Sequence, residues 1–126
     1  MNRKLLVIGL LFVSSLNIHL LSNKLKLSKR KASEVQFKLG VIALKHKLYK
    51  EALMRFKKAY KLGRRDYKIL NNIAVSYEAL GEFKKAEFYY KKAIELSGEN
   101  FNVRENYERF KSFSKRKPKK HAKRKR

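Results

Sequence analysis

The sequence predicts an all-α protein, a short α-solenoid of two helical hairpins followed by a C-terminal capping helix. Three observations predict this fold. Apolar residues recur at helical spacing from residue 33 onward. A shift of 34 residues aligns 33–66 with 67–100 without a gap. Proline occurs once and tryptophan is absent, and few other turn formers are present, which argues against a β-sandwich.

Composition divides the chain into an N-terminal segment, a linker, two repeats and two C-terminal segments. Their bounds are 1–22 for an apolar segment, 23–32 for a basic linker, 33–66 and 67–100 for the repeats, 101–113 for the capping helix and 114–126 for an unfolded basic tail. The net charge of +24 is concentrated in the termini and the first repeat, whereas residues 67–100 are balanced. Such a charge attracts phosphates, anionic lipids or acidic proteins, although a lysine-rich proteome would produce the same bias.

The N-terminal segment has the pattern of a signal peptide or a membrane anchor. Arg3 and Lys4 precede an apolar run over residues 5–13. Polar residues interrupt the stretch after this run, so it is short of the roughly 20 apolar residues that span a bilayer. If the segment is an anchor, the basic residues at 24–31 favour a cytoplasmic location for the repeats. A cleaved signal peptide with export to the periplasm, an uncleaved anchor in the cytoplasmic membrane, and a buried core helix remain open. The first two place the protein in the cell envelope.

Each repeat has the pattern of a helical hairpin with an apolar core. The predicted core positions are Val35, Leu39, Ile42, Ala43, Ala52, Phe56, Ala59 and Tyr60 in the first unit, and Ile69, Ile73, Tyr77, Leu80, Ala86, Tyr90 and Ala93 in the second. Gly81 marks the turn inside the second unit, and Gly63 and Gly98 mark the unit ends. Small residues recur where two helices must approach closely, with an aromatic ring beside them.

The segment 101–113 is predicted to cover the C-terminal end of the stack. Asn102 and Glu105 have the spacing of a capping box, and Val103, Tyr107 and Phe110 recur at helical spacing. Two repeats bury too few faces to be stable alone, so the opposite end also needs a cover. Residues 20–32, the membrane and a second chain are the alternatives.

The two units resemble the tetratricopeptide repeat. The resemblance covers 33–100 and lies in Leu39-Gly40, Ala52-x-x-x-Phe56 and Ala59 of the first unit, and in Ile73-Ala74, Tyr77, Ala86-x-x-x-Tyr90 and Ala93 of the second. It implies a protein-binding groove lined by the first helix of each unit. That lining maps onto Glu34, Phe37, Lys38, Val41, Leu44 and Lys45, and onto Lys68, Asn71, Asn72, Val75, Glu78 and Ala79.

The resemblance does not extend to the carboxylate clamp of chaperone-binding members. Asn72 matches one asparagine of that clamp. Its other four positions hold different residues here, namely Phe37, Val41, Asn102 and Asn106. Specificity for a terminal carboxylate is therefore rejected.

The apolar part of this groove has two interpretations. Phe37, Val41 and Leu44, rimmed by lysines, have the form of a site for a partner peptide or helix. Alternatively, these residues pack against the N-terminal linker or against a twin subunit in a homodimer.

The tail is predicted to bind an anionic surface, either lipid or nucleic acid, or to be solvated without a dedicated ligand. Its basic residues are Lys115, Arg116, Lys117, Lys119, Lys120, Lys123, Arg124, Lys125 and Arg126. No aromatic residue accompanies them to stack on nucleotide bases, which argues against sequence-specific recognition of a nucleic acid.

Catalytic chemistry is not predicted. Cysteine is absent, and His19, His46 and His121 are too dispersed to indicate a metal site or a base and nucleophile pair. No phosphate loop, serine elbow or dinucleotide fingerprint occurs, so no cofactor is expected. The prediction is a non-catalytic protein-interaction adaptor directed to the cell envelope. The alternative is a nucleic-acid- or ribosome-associated protein of the cytoplasmic face that acts through its basic tail.

Overall fold

Five α-helices succeed one another in the computed structural model, which describes residues 3–98 and 100–116, with side chains from residue 15 onward. The helices are α1 (Arg3–Lys45), α2 (Tyr49–Lys61), α3 (Tyr67–Ala79), α4 (Phe83–Ser97) and α5 (Phe101–Arg116). Each helix packs mainly on its neighbours in sequence, and α1 also touches α3. This arrangement confirms the predicted all-α solenoid, with α1 and α2 as the first hairpin and α3 and α4 as the second.

The helix boundaries follow from local capping and backbone geometry. Asp66 begins α3, since its Oδ1 accepts a hydrogen bond from Ile69 N at 3.0 Å. Gly81 has a φ of +77° in the turn between α3 and α4. At the equivalent turn of the first hairpin Lys47 adopts a φ of +58°, a conformation that L-residues rarely take.

The core is a column of small and aromatic side chains between paired helices. Ala52, Phe56 and Ala59 of α2 are fully buried, as are their counterparts in α4. Gly40 lets α1 approach α2, because a Cβ atom built there would lie 2.6 Å from Phe56 Cε1. These observations confirm the close approach that the small residues predicted.

Two predicted boundaries differ from those of the structure. The basic linker 23–32 is the middle of the continuous helix α1, which extends well beyond the hairpin that it forms with α2. At the other end α5 continues to Arg116, so residues 114–116 are helical rather than part of an unfolded tail. The cap of α5 also lies two residues earlier than predicted, because Asn100 Oδ1, not Asn102, accepts from Val103 N at 3.3 Å.

The predicted core stripe of α1 is wrong at three positions. Val35 is 53% exposed, Leu39 39% and Ile42 52%. Their counterparts in α3 are buried because α2 covers them, whereas α1 has no preceding helix among the described residues to cover this face. Tyr60 and Leu80 are half-buried instead of fully buried, and the other predicted core positions are buried.

Among the residues whose side chains are described, no helix combines the length and the apolar character needed to cross a bilayer.

Candidate protein-binding groove

The first helices of the two repeats and the capping helix enclose a small cavity of about 230 Å³. Its lining residues come from all three helices and from the turn before α5: Phe37, Tyr67, Lys68, Asn71, Asn72, Asn100, Asn102, Val103 and Asn106. Four of these, Phe37, Lys68, Asn71 and Asn72, belong to the predicted groove. The structure therefore places part of the predicted lining around one depression.

Side-chain amides dominate this cavity and partly bond to one another. Asn106 Nδ2 donates to Asn71 Oδ1 at 3.2 Å, and Asn100 Nδ2 donates to Tyr67 Oη at 3.3 Å. An amide offers both donors and an acceptor, so such a surface can pair with peptide N–H and C=O groups. The bonds between α3 and the α5 segment also hold the capping helix in place against the second repeat.

Five residues of the cavity lie outside the predicted groove lining. Asn102, Val103 and Asn106 belong to the capping helix, and Tyr67 and Asn100 lie at the starts of α3 and α5. The signal for Asn102 and Asn106 is the 34-residue shift, which continues past residue 100 and pairs Asn102 with Lys68 and Asn106 with Asn72. Extending the repeat alignment into α5 would have added both to the groove.

The predicted apolar lining is half-buried rather than open. Phe37, Val41, Leu44 and Val75 all pack against the core. The ring of Phe37 has its centroid 5.7 Å from that of Phe56. The exposed residues of the predicted lining on α1 are Glu34, Lys38 and Lys45.

Arg64 joins the two repeats at the edge of the groove. Its guanidinium carbon lies 3.6 Å from the ring centroid of Phe37. Its Nε lies 2.9 Å from Asp66 Oδ2, and Nη1 donates to Glu34 Oε2. The Arg64 side chain is 17% exposed, whereas the side chains of Glu34 and Asp66 are 49% and 42% exposed, so solvent screens these ion pairs in part. Glu34, a predicted groove residue, thus forms an ion pair at the junction of the repeats.

Comparison with known proteins identifies the repeat. The family model described as Tetratricopeptide repeat matches residues 67–100, the second hairpin. The first hairpin repeats its geometry, with Gly40 and Ala74, and Phe56 and Tyr90, at equivalent buried positions. Residues 67–100 are a tetratricopeptide repeat. An uncharacterized protein of Guillardia theta, ycf37, is 34% identical over 84 residues, which cover 62% of this chain and 47% of that relative. The match thus spans less than half the relative's length.

Glu78, another predicted groove residue, also has a structural partner. Glu78 Oε2 accepts a hydrogen bond from Tyr90 Oη at 2.6 Å, which links α3 to α4 inside the second repeat. Burial, followed by this bond to the carboxylate, raises the pKa of Tyr90 well above its usual range. Neighbouring Ala79, at the end of α3, is exposed.

A second depression of about 580 Å³ lies where α1 passes the turn between the repeats. Its lining combines basic side chains of both elements with two acids: Lys26, Lys29, Arg30, Ser33, Glu34, Leu62, Gly63, Arg64, Arg65 and Asp66. Both acids bind Arg64, which leaves the cationic groups of α1 without an acidic neighbour in this lining. The depression is therefore electropositive and suited to an anionic group.

Of the predicted tail residues only Lys115 and Arg116 are described, at the end of α5, and both are exposed. Lys117, Lys119, Lys120, Lys123, Arg124, Lys125 and Arg126 lie outside the described residues. Within the described part of the chain no three His, Asp or Glu side chains gather as a metal-binding group.

Proposed function

We propose that this tetratricopeptide repeat protein is a non-catalytic adaptor that binds an extended segment of a partner protein in the groove of α1, α3 and α5. Tetratricopeptide repeats generally bind proteins and are typically non-catalytic, which supports the general class of function. The observation that carries the specific proposal is the amide-lined cavity shared by three helices.

The chemistry of the cavity favours a peptide over a small-molecule substrate. Its volume of about 230 Å³ is below that of ordinary small-molecule sites, which begin at about 300 Å³. Asparagine amides pair with backbone groups, which every peptide offers, and Lys68 at the rim adds one positive charge for a carboxylate. A peptide strand would therefore be held by its backbone, with a side chain in the depression.

Site-specific crosslinking in the native cell tests the groove. A photoreactive residue placed at the exposed groove position Asn102 should crosslink to a discrete protein, and one at the exposed position Lys92 of α4 should not. A second substitution, Asn72→Arg, should remove the adduct because its side chain would fill the cavity. Equal crosslinking from both positions, or an adduct unaffected by Asn72→Arg, would contradict binding in the groove.

Asn72→Arg is a better probe than Phe37→Glu, which the sequence alone would recommend. Phe37 contacts both Phe56 and Arg64, so a carboxylate there would disturb the junction of the repeats as well as the groove. Circular dichroism of the Asn72→Arg variant should show unchanged helix content.

We further propose that the N-terminal segment directs the adaptor to the cell envelope, as its charged start and apolar run support. Intact mass and fractionation of the native protein, with protease added to spheroplasts, test this. Loss of the first residues with recovery in the periplasm means export, and full mass in membranes with protection from external protease means an anchor with a cytoplasmic body. Full mass in the soluble cytoplasmic fraction would reject both.

The electropositive depression supports a second candidate function, binding of nucleic-acid phosphates at the cytoplasmic face. Such binding would weaken steeply with salt, by about tenfold or more between roughly 50 and 200 mM. It would also weaken in a chain ending at Arg116 and in the variant Lys29→Glu. Binding of the partner in the groove should survive all three changes, which separates the two functions.

A further inference from the structure

A mostly apolar stripe on α1 faces solvent away from the groove. We call this stripe the seam, and it consists of Leu25, Ser28, Ala32, Val35, Leu39 and Ile42. Leu25 is 58% exposed, and the three large residues at the C-terminal end of the seam are 39 to 53% exposed. Steps of three and four residues alternate along the seam, the average spacing of 3.5 that lets two helices wrap around each other.

The seam is the uncovered end of the solenoid, extended toward the N-terminus. Ile69 and Ile73 of α3 take the same repeat positions as Val35 and Leu39, and both are buried, 0% and 1% exposed, in the stack behind α2. On α1 the corresponding face meets no helix among the described residues. A helix is therefore the natural cover for this face, because that is how the same repeat positions are covered one unit later.

Lysines beside the seam indicate which charge a bound helix should carry. Every seventh residue beside the seam is an exposed lysine, and the four are Lys24, Lys31, Lys38 and Lys45. Residues at this flanking position of a helical pair contact the flank of the partner and select it by charge. No acidic residue occurs between residues 3 and 33. A second copy of the chain would therefore bring lysine toward lysine, whereas a helix with acidic flanks would neutralise them.

We infer that the seam binds an amphipathic helix of another protein whose apolar stripe is flanked by Glu or Asp. The seam spans residues 25–42 of α1, which corresponds to about 26 Å and to a partner helix of about 18 residues. Ser28 and Ala32 in its middle let the partner approach closely, and the branched residues beyond them provide most of the apolar area. None of the seam residues lies in the predicted segment 1–22, so cleavage there leaves the site intact.

A pair of synthetic helices tests this inference on the full chain. Both are three heptads long, with Ile and Leu on the apolar stripe. One carries Glu and the other Lys at the flanking positions. Fluorescence anisotropy should show the Glu peptide binding about tenfold or more tightly than the Lys peptide. The variant Lys31→Glu, Lys38→Glu should reduce or reverse that preference, since it changes the flank without touching the apolar stripe.

Matched apolar variants locate the site. Leu39→Glu should abolish binding of the Glu peptide, whereas Leu96→Glu on α4, which replaces a leucine that is 58% exposed, should leave it unchanged. Both variants should keep the helix content of the parent, because neither residue is buried.

Three results would overturn the inference. Absence of binding by either peptide would reject a helix site. A dimer in sedimentation velocity that Leu39→Glu dissociates, without peptide, would mean that a second copy occupies the seam. Equal binding of the two peptides, together with binding of vesicles rich in anionic phospholipid that Leu39→Glu removes, would assign the seam to a lipid surface.

Discussion

Removal of methyl groups at equivalent positions of the two repeats should have very different effects on stability. Ile69 is fully buried and Val35, 34 residues earlier, is 53% exposed. Ile69→Ala removes three carbon atoms at about 0.8 kcal/mol each and leaves a cavity that α2 cannot fill, so it should lower the free energy of unfolding by about 3 kcal/mol. The loss is large because packing is dense on both sides of α3.

Val35→Ala should change the free energy of unfolding by no more than a few tenths of a kcal/mol. It removes two carbon atoms that are half in water, which costs about 0.8 kcal/mol. Alanine favours the helix over valine by about 0.6 kcal/mol, which nearly offsets that loss. Because no helix among the described residues covers this face of α1, no cavity forms.

Urea titration of the two variants and the parent, followed by circular dichroism, measures both values. If the two substitutions lower the free energy of unfolding by the same amount, Val35 is buried in solution and the solenoid has no open end. If Val35→Ala costs little alone but weakens binding of the acidic helix, the open end and its proposed occupant are both supported.

Three other substitutions test particular contacts by the same titration. Gly40→Ala should destabilise by about 1–3 kcal/mol, since the added methyl group would overlap the buried ring of Phe56. Lys47→Gly should stabilise by up to about 1 kcal/mol, because glycine adopts the positive φ of that turn without strain. The raised pKa of Tyr90 means that its contribution to stability is complete below the unfolded pKa of about 10 and is lost as pH rises above it. Tyr90→Phe, which also removes the bond to Glu78, should therefore flatten the loss of stability between about pH 9 and 11; an unchanged pH dependence would contradict this reasoning.

The repeat register could be predicted from the sequence because it depends on pairs of residues with the same environment. Ala52 and Ala86, and Phe56 and Tyr90, are buried in both units, so the 34-residue shift and helical spacing are sufficient. The turn of the second hairpin also followed from local chemistry, since Gly81 adopts the positive φ for which glycine is favoured. Local signals of this kind do not depend on what lies beyond the repeat.

The environment of α1 could not be predicted in the same way. The shift pairs Val35 with Ile69 and Leu39 with Ile73, and so predicts that all four residues are buried. Among the described residues, only the second repeat has a preceding helix to bury its pair. Composition gives no sign of the difference, because an apolar residue is expected both in a core and in an interface. The groove adds a contact that the sequence did not indicate: Phe37 lines the cavity and also packs beneath Arg64, and no spacing rule connects these two residues.

The positions of the acidic residues show where the positive charge of the protein is left unpaired. Glu51, Glu87 and Glu108 pair with a basic residue three or four positions along their own helix, and Glu82 pairs with Lys85. Glu34 and Asp66 both bind Arg64 at the junction of the repeats. These acids are therefore used within and between the repeats, and the long N-terminal part of α1 has none beside its lysines. In the complex that we propose, the acidic flanks of the bound helix neutralise that part of α1.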